Sequence, residues 1–455
     1  MPTSEVINKL EKQLLQMKSN NEALNGELTD RVSVTDYLPQ GEIWTDAFQK
    51  SLNEHQIVFI PKKESPYIID KAIIVPSNRH IIAEDGAVIR LADGVKTIML
   101  RNENTQDGTH HKINSDKRDR NITIEGGVWE EWCTYRLGYG NSGMYDENRS
   151  FFGVSTCMLF NNIDNLTLKN MHFRHCGGFA AQIGDAKNVV NENILFEKCF
   201  ADGIHVNGNV ENVYINDVRG QVGDDLVALN VYDWLNSSID FGPGKNILCR
   251  NLELFKDSHY KAIRIQPGMY YYDDGTEVEC SLENVVFQNV KGIKTFKLYT
   301  QTPPYKVGQS PEKTGVAGGD NIIFENVEAI LDGPIDKLGG YMTNDPITGT
   351  FAVFEMGMNL KNMYLKDISL TIDKEKHPYA YLLSVGPKSV REGDMEYFDP
   401  YLSSTVNNVY LENIKINGKE EKELSPYIRE IEFNQLYKDM ESTAFGKIEN
   451  VITKK

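Results

Sequence analysis

The chain has 455 residues, and 65 acidic against 48 basic side chains leave it at a net charge of −17. No window concentrates Lys and Arg enough to track a phosphate backbone, which excludes nucleic acid as a partner. Length alone admits two or three domains or one continuous repeat body, and the apolar runs, such as Ala72-Ile73-Ile74-Val75, are too short to span a bilayer.

At the start, Ile7, Leu10, Leu14, Met17, Asn21, Leu24 and Leu28 recur at alternating steps of three and four. This spacing predicts an amphipathic helix with a coiled-coil seam. So short a helix is marginal alone in water, so it either caps the end of a repeat domain or makes a homo-oligomer through residues 7–28. The stretch has no apolar core followed by small residues. It therefore does not read as a secretory signal, and a cytoplasmic location is expected. Residues 1–30 form this segment and 31–455 the main domain. Within 31–69 the pattern is strand, loop, a helix containing Ala47 to Leu52, then strand and Pro turn. A helix ahead of the first repeat would close its open apolar end.

From residue 121 one phrase returns nine times: NITIEG at 121, NLTLKN at 165, NILFEK at 193, NVYIND at 212, NILCRN at 246, NVVFQN at 284, NIIFEN at 321, NMYLKD at 362 and NVYLEN at 408. Two apolar residues at period two make a short strand with one face inward, and the flanking Asn suits a turn. A second strand family lies between the phrases: 181–183, 204–206, 227–229, 263–265 and 296–298. Units this small cannot bury their own apolar face, so stacked copies must share one core, which predicts a parallel β-solenoid. Phrase spacing runs from 19 residues (193 to 212) to 46 (362 to 408), so long loops project from the coil. Insertions at 101–120, 138–150, 267–280, 300–320 and 385–405 would shape a groove. Tyr270, Tyr271 and Tyr272 could stack on a sugar ring or serve as packing. The six cysteines show no CxxC pairing, and Cys249 replaces an apolar residue of the repeat. Buried free thiols are expected, not a zinc site or a disulfide frame.

Stacking the second strand family by its inward pairs puts Ile204, Val227 and Ile263 in one row. Asp202, Asp225 and Lys261 then fall together two residues earlier, with Asp224 one place further back. Neighbouring coils lie about 4.8 Å apart, so three carboxylates are predicted to crowd one spot. Clustered like charges raise at least one pKa and leave a proton donor beside ionised groups, the division that glycoside hydrolysis uses. Gln182, His205, Arg264 and Lys297 on the outward row would offer donors to sugar hydroxyls or a carboxylate. A single Gly-Asp-Asp is ordinary turn chemistry; two acidic motifs on successive coils favour a site.

The elements ADGIHV at 201–206, GDDLVAL at 223–229, AIRIQ at 262–266 and ITIEGGVW at 122–129 resemble glycoside hydrolase family 28, the polygalacturonases and their relatives. The resemblance implies an all-β chain folded as a right-handed single-stranded parallel β-helix, here with a short N-terminal α-helix. It implies an inverting hydrolase of a pectin-like poly- or oligosaccharide that needs no cofactor or resident metal. Asp224 would be the general acid, Asp202 and Asp225 would activate water, and Arg264 would contact substrate, with His205, His259, Gln266 and Lys297 as further binding positions. The chain departs from the family pattern. Gln266 replaces a Lys, His205 stands where an Asp is usual, no Gly-His-Gly follows the Asp pair, and one coil fewer separates GDD from AIRIQ. Two assignments therefore stay open: Arg264 in the family's arginine role, or Arg264 on the missing histidine's coil, near Lys261 or His259, with Lys297 as the arginine substitute. The competing functions are a β-helix polysaccharide lyase holding Ca²⁺ on its Asp side chains, and a non-catalytic, spike-like glycan-binding protein.

Overall fold

The computed structural model describes residues 2–137, 145–146, 149–150, 156–233, 237–302, 317–332, 351–392, 395–436 and 442–454. Parts of the expected insertions, 138–144, 147–148, 303–316 and 393–394, lie outside the described residues. Among the described residues no helix is long and apolar enough to cross a membrane.

The chain is mostly β, built around one large parallel sheet that continues from coil to coil. Strand Thr156–Arg174 pairs in parallel with Phe179–Glu197, which pairs with Ile204–Val206 and Val210–Gly220. The ladder continues through Gly244–Leu254, Leu282–Ile293, Gly318–Leu331, Asn359–Ile372 and Ser404–Ile416 to Gly446–Lys454. Inward residues stack in columns along this coil, one of which runs Ile215, Cys249, Phe287, Phe324. Phe287 and Phe324 are stacked with centroids 5.5 Å apart, as are Phe296 and Phe354 at 5.3 Å. Cys249 is fully buried, and all six cysteines are free thiols.

The corners of the coil are single left-handed residues. Asn121, Asn165, Asn188, Asn212, Asn246, Asn284 and Asn321 all have φ between 54° and 60°, a conformation that Asn tolerates better than most residues. Each donates its side-chain amide to the Asn one coil earlier, from Asn121→Asn78 at 2.8 Å through Asn212→Asn188 at 3.0 Å to Asn321→Asn284 at 3.2 Å. The column resumes with Asn408→Asn362 and ends on Asn450→Asn408. This ladder corrects the expected register at one place. The partner of Asn165 is Asn188, at the head of NVVNEN, whereas Asn193 of NILFEK bonds to Asn170 in a second corner column. The coil is therefore 23 to 24 residues long here, not 19. Both corner columns are Asn-rich, so the phrase alone does not say which corner it marks.

Helix α1 (Pro2–Gly26) lies along the flank of the coil and not over its end. Asn25 bonds Thr123, Asn21 bonds Asn188 O, Lys18 pairs with Glu192, Gln13 bonds Asn212, and Glu11 pairs with Arg250. The helix thus climbs the stack one coil for every three or four residues. A step of 3.5 residues rises about 5 Å, close to the coil spacing of about 4.8 Å. This match explains the heptad pattern: Ile7, Leu10, Leu14 and Met17 dock on the column Val190, Tyr214, Leu248, Val286, Ile323. The end-capping task falls to α2 (Thr45–Glu54), whose Ala47, Phe48 and Leu52 enter the main core, Phe48 edge-on to Tyr67.

Candidate active site

The second strand family forms its own parallel ladder, with Gln182, His205, Ala228, Arg264, Lys297 and Glu355 on one outward row. Ile204 pairs with Val227 as expected. Between Asp225 and Ala228 the register slips by one, so Asp225 faces Ala262 and not Lys261. Lys261 instead forms a left-handed corner with φ 53°, which takes it out of the acidic row. The slip is a bulge, which re-aims side chains at a strand mouth.

Asp202, Asp224 and Asp225 converge as the stacking requires: a carboxylate oxygen from each lies within 4.8 Å of the others, and all three side chains are buried. The backbone N–H of Asp225 donates to Asp202 Oδ1 at 3.1 Å, locking the two coils together at the site. Arg264 lies over the pair, its Nε 2.8 Å from Asp225 Oδ2 and its Nη2 3.5 Å from Asp224 Oδ1. The Nε contact is an ion pair without hydrogen-bond alignment, and among the described residues neither Asp225 oxygen has a hydrogen-bond donor. Arg136 reaches in from the segment before residue 138 and holds Asp224 Oδ2 at 2.9 Å.

These neighbours divide the acids. Burial acts against ionisation of Asp224, but Arg136 and then Arg264 outweigh it and keep its pKa below the usual carboxylate range. Burial drives Asp225 well above that range; Arg264 opposes the shift, and the charges of Asp224 and Asp202 add to it. The two titrate as a coupled pair sharing one proton more easily than none. The surroundings thus favour ionisation of Asp224 and oppose that of Asp225.

Of the expected binding residues, Arg264 and Lys297 adjoin the acids on successive coils, and both are buried. Gln266 is buried beyond them, its backbone tied to Leu229 and Tyr232. His205 is 1 % exposed. Its Nδ1 lies 2.6 Å from Asp202 Oδ2, its Nε2 3.3 Å from Asp233 Oδ2, and Phe179 stacks on its ring at 4.0 Å. With both nitrogens engaged and one face covered, His205 supports Asp202 and has no free edge for a sugar. His259 is exposed and turned against Tyr260. Among the described residues it makes no hydrogen bond or ion pair with the acids. Tyr270 stacks on Phe241 at 3.6 Å and Tyr272 is buried, so the tyrosine run is largely packing.

Arg136 and Asp233 went unnoticed in the sequence. Arg136 lies 88 residues before its partner, in a segment without repeat pattern. Asp233 follows its strand in an irregular turn, and nothing in its spacing sets it apart.

No protein-family model matches the chain, and no curated protein matches it. Solved structures similar to it include a hyperthermoactive exopolygalacturonase from Thermotoga maritima, 13% identical over 89% of this chain and 97% of that one, TM-score 0.48. A family 28 exopolygalacturonase from Yersinia enterocolitica is 14% identical over 93% of this chain and 78% of that one, TM-score 0.45. The surface protein and adhesin PfbA of Streptococcus pneumoniae is 12% identical over 88% and 99%, TM-score 0.38. The structural neighbours of this chain thus include family 28 exopolygalacturonases.

Proposed function

We propose that the protein is a glycoside hydrolase on a right-handed parallel β-helix, cleaving a pectin-like poly- or oligosaccharide with paired carboxylates. The observation that carries this reading is the buried trio Asp202, Asp224 and Asp225, within which the pKa of Asp224 is pushed down and that of Asp225 up by their surroundings. Hydrolysis of a glycosidic bond requires one acid that donates to the leaving oxygen and one carboxylate that activates water.

In this reading Asp224 is the donor, and its contact with Arg136 must yield to substrate so that it takes up the proton it gives to the leaving oxygen. Asp202 and Asp225 orient the attacking water. Arg136, Arg264 and Lys297 surround the acids and favour a substrate bearing a carboxylate near the scissile bond. Attack by water inverts the anomeric centre. The acids sit closer than the roughly 6.5–9.5 Å of most inverting sites, so the anomer of the first product decides between inversion and retention.

The test is a panel of acidic and neutral oligosaccharides offered to wild type and Asp224→Asn. Reducing ends should appear with wild type and fall by about 10²–10⁴-fold in the variant, and proton NMR of the first product should show the inverted anomer. Full activity in Asp224→Asn ends the proposal. A retained anomer reassigns one carboxylate as a nucleophile. An unsaturated, chelator-sensitive product indicates a lyase instead, and tight binding without turnover a glycan-binding protein.

A further inference from the structure

We propose that Asp233, acting through His205, is a positioning residue that fixes the direction of the Asp202 carboxylate, and that His205 works as an imidazolium. The inference rests on the hydrolase reading for its catalytic meaning, while the ion relay stands on geometry alone. His205 Nδ1 is 2.6 Å from Asp202 Oδ2, and Nε2 is 3.3 Å from Asp233 Oδ2. Carboxylate oxygens only accept, and a neutral imidazole has a single N–H. The ring donates to both carboxylates only when both nitrogens are protonated, whereas a neutral ring donating to Asp202 would accept at Nε2 from Asn207 Nδ2.

The rest of the shell holds this arrangement in place. Asn230 Nδ2 donates to Asp233 Oδ2 at 2.9 Å and sets the carboxylate. Phe179 stacks on the imidazole with the planes 9° apart. On the neighbouring coil Gln182 donates to Asn207 Oδ1 at 2.7 Å, and Ile239 N donates to the same oxygen. Asn207 Nδ2, 3.2 Å from His205 Nε2, also donates to Asn230 O at 3.1 Å. The charged groups facing the ring are the two aspartates, with Arg264 acting on Asp233 from further off. Burial alone lowers the affinity of His205 for its proton, but the bonds to Asp202 and Asp233 reverse this and raise the pKa to about 9. Asp202 is then held at both oxygens, by His205 on Oδ2 and by the Asp225 N–H on Oδ1. A base held this way presents a fixed lone pair to water without collapsing onto Arg264.

The experiment is nitrogen NMR of the full chain labelled at histidine, titrated from pH 6 to 10, for wild type, Asp233→Asn and Asp233→Glu. The His205 signal, assigned by its loss in His205→Asn, should show two protonated nitrogens at pH 7.5. Its midpoint should fall by about 1–2 pH units in Asp233→Asn and return toward wild type in Asp233→Glu. With trigalacturonate as probe, Asp233→Asn should lower kcat at least tenfold with KM within twofold, and move the alkaline limb of the pH profile down with the imidazole. A neutral wild-type ring accepting from Asn207, or a titration unmoved by Asp233→Asn, overturns the inference. If Asp233→Asn does not fold, Asn230→Ala, which removes the donor to Asp233, must shift the midpoint in the same direction. The imidazole signal needs no substrate, so failure of the whole panel ends the hydrolase reading and leaves this one to the titration.

Discussion

Glu131, an acid, and His205, a base, both link stability to pH. Glu131 is buried, and its Oε2 accepts from the N–H groups of Gly177 and Gly178 while Oε1 has no hydrogen-bond partner among the described residues. Burial lifts its pKa from 4.5 to about 7, against the pull of those two N–H groups. An acid whose folded pKa is raised stabilises the fold fully below its unfolded value, and that contribution fades as pH climbs through the folded one. For Glu131 the loss falls between about 4.5 and 7. His205 obeys the same sign: its contribution is complete below about 6.5 and is lost as pH rises through about 9. Urea midpoints should therefore decline from pH 5 to 9.5 in two stages. Glu131→Gln should remove the first stage and raise the midpoint at pH 8, because the amide oxygen keeps the two acceptor contacts without a charge. A midpoint in Glu131→Gln that declines like wild type between pH 5 and 7 would discard this assignment.

Two elements carry the geometry of the coil, the flanking helix and the asparagine column. Leu14 is fully buried between α1 and the flank, so Leu14→Ala should cost about 2–5 kcal/mol, read by chemical denaturation. An unchanged midpoint would show that α1 is not docked as described. A homo-oligomer through residues 7–28 would have to lift this seam off the coil. In the column, Asn246 donates to Asn212, accepts from Asn284 and holds φ at 56°. Asn246→Ala loses the ladder contacts and takes the left-handed strain of about 1–2 kcal/mol. Asn246→Gly loses the contacts, worth about 1 kcal/mol, and relieves the strain. Denaturant titration should therefore place Gly between wild type and Ala; the reverse order would mean that the corner is not left-handed.

At the scale of the whole molecule, the returning Asn phrase was sufficient to predict stacked parallel coils, because a unit too small for its own core has to share one. The second strand family brought Asp202 beside Asp224 and Asp225, since adjacent rungs of a parallel ladder are neighbours wherever the chain goes between them. Neither pattern could distinguish the two corner columns at Asn193 or show the bulge that removes Lys261 from the row, because either register presents the same alternation of apolar and polar residues. The heptad of α1 was visible, but its partner was not: a coiled coil and a ladder of coils repeat at nearly the same distance. Local periodicity thus determined the architecture and the meeting of the acids. Only the tertiary structure decided how the surroundings divide Asp224 from Asp225, because that depends on Arg136, Arg264 and burial, and Arg136 comes to the site from a segment with no repeat to align it.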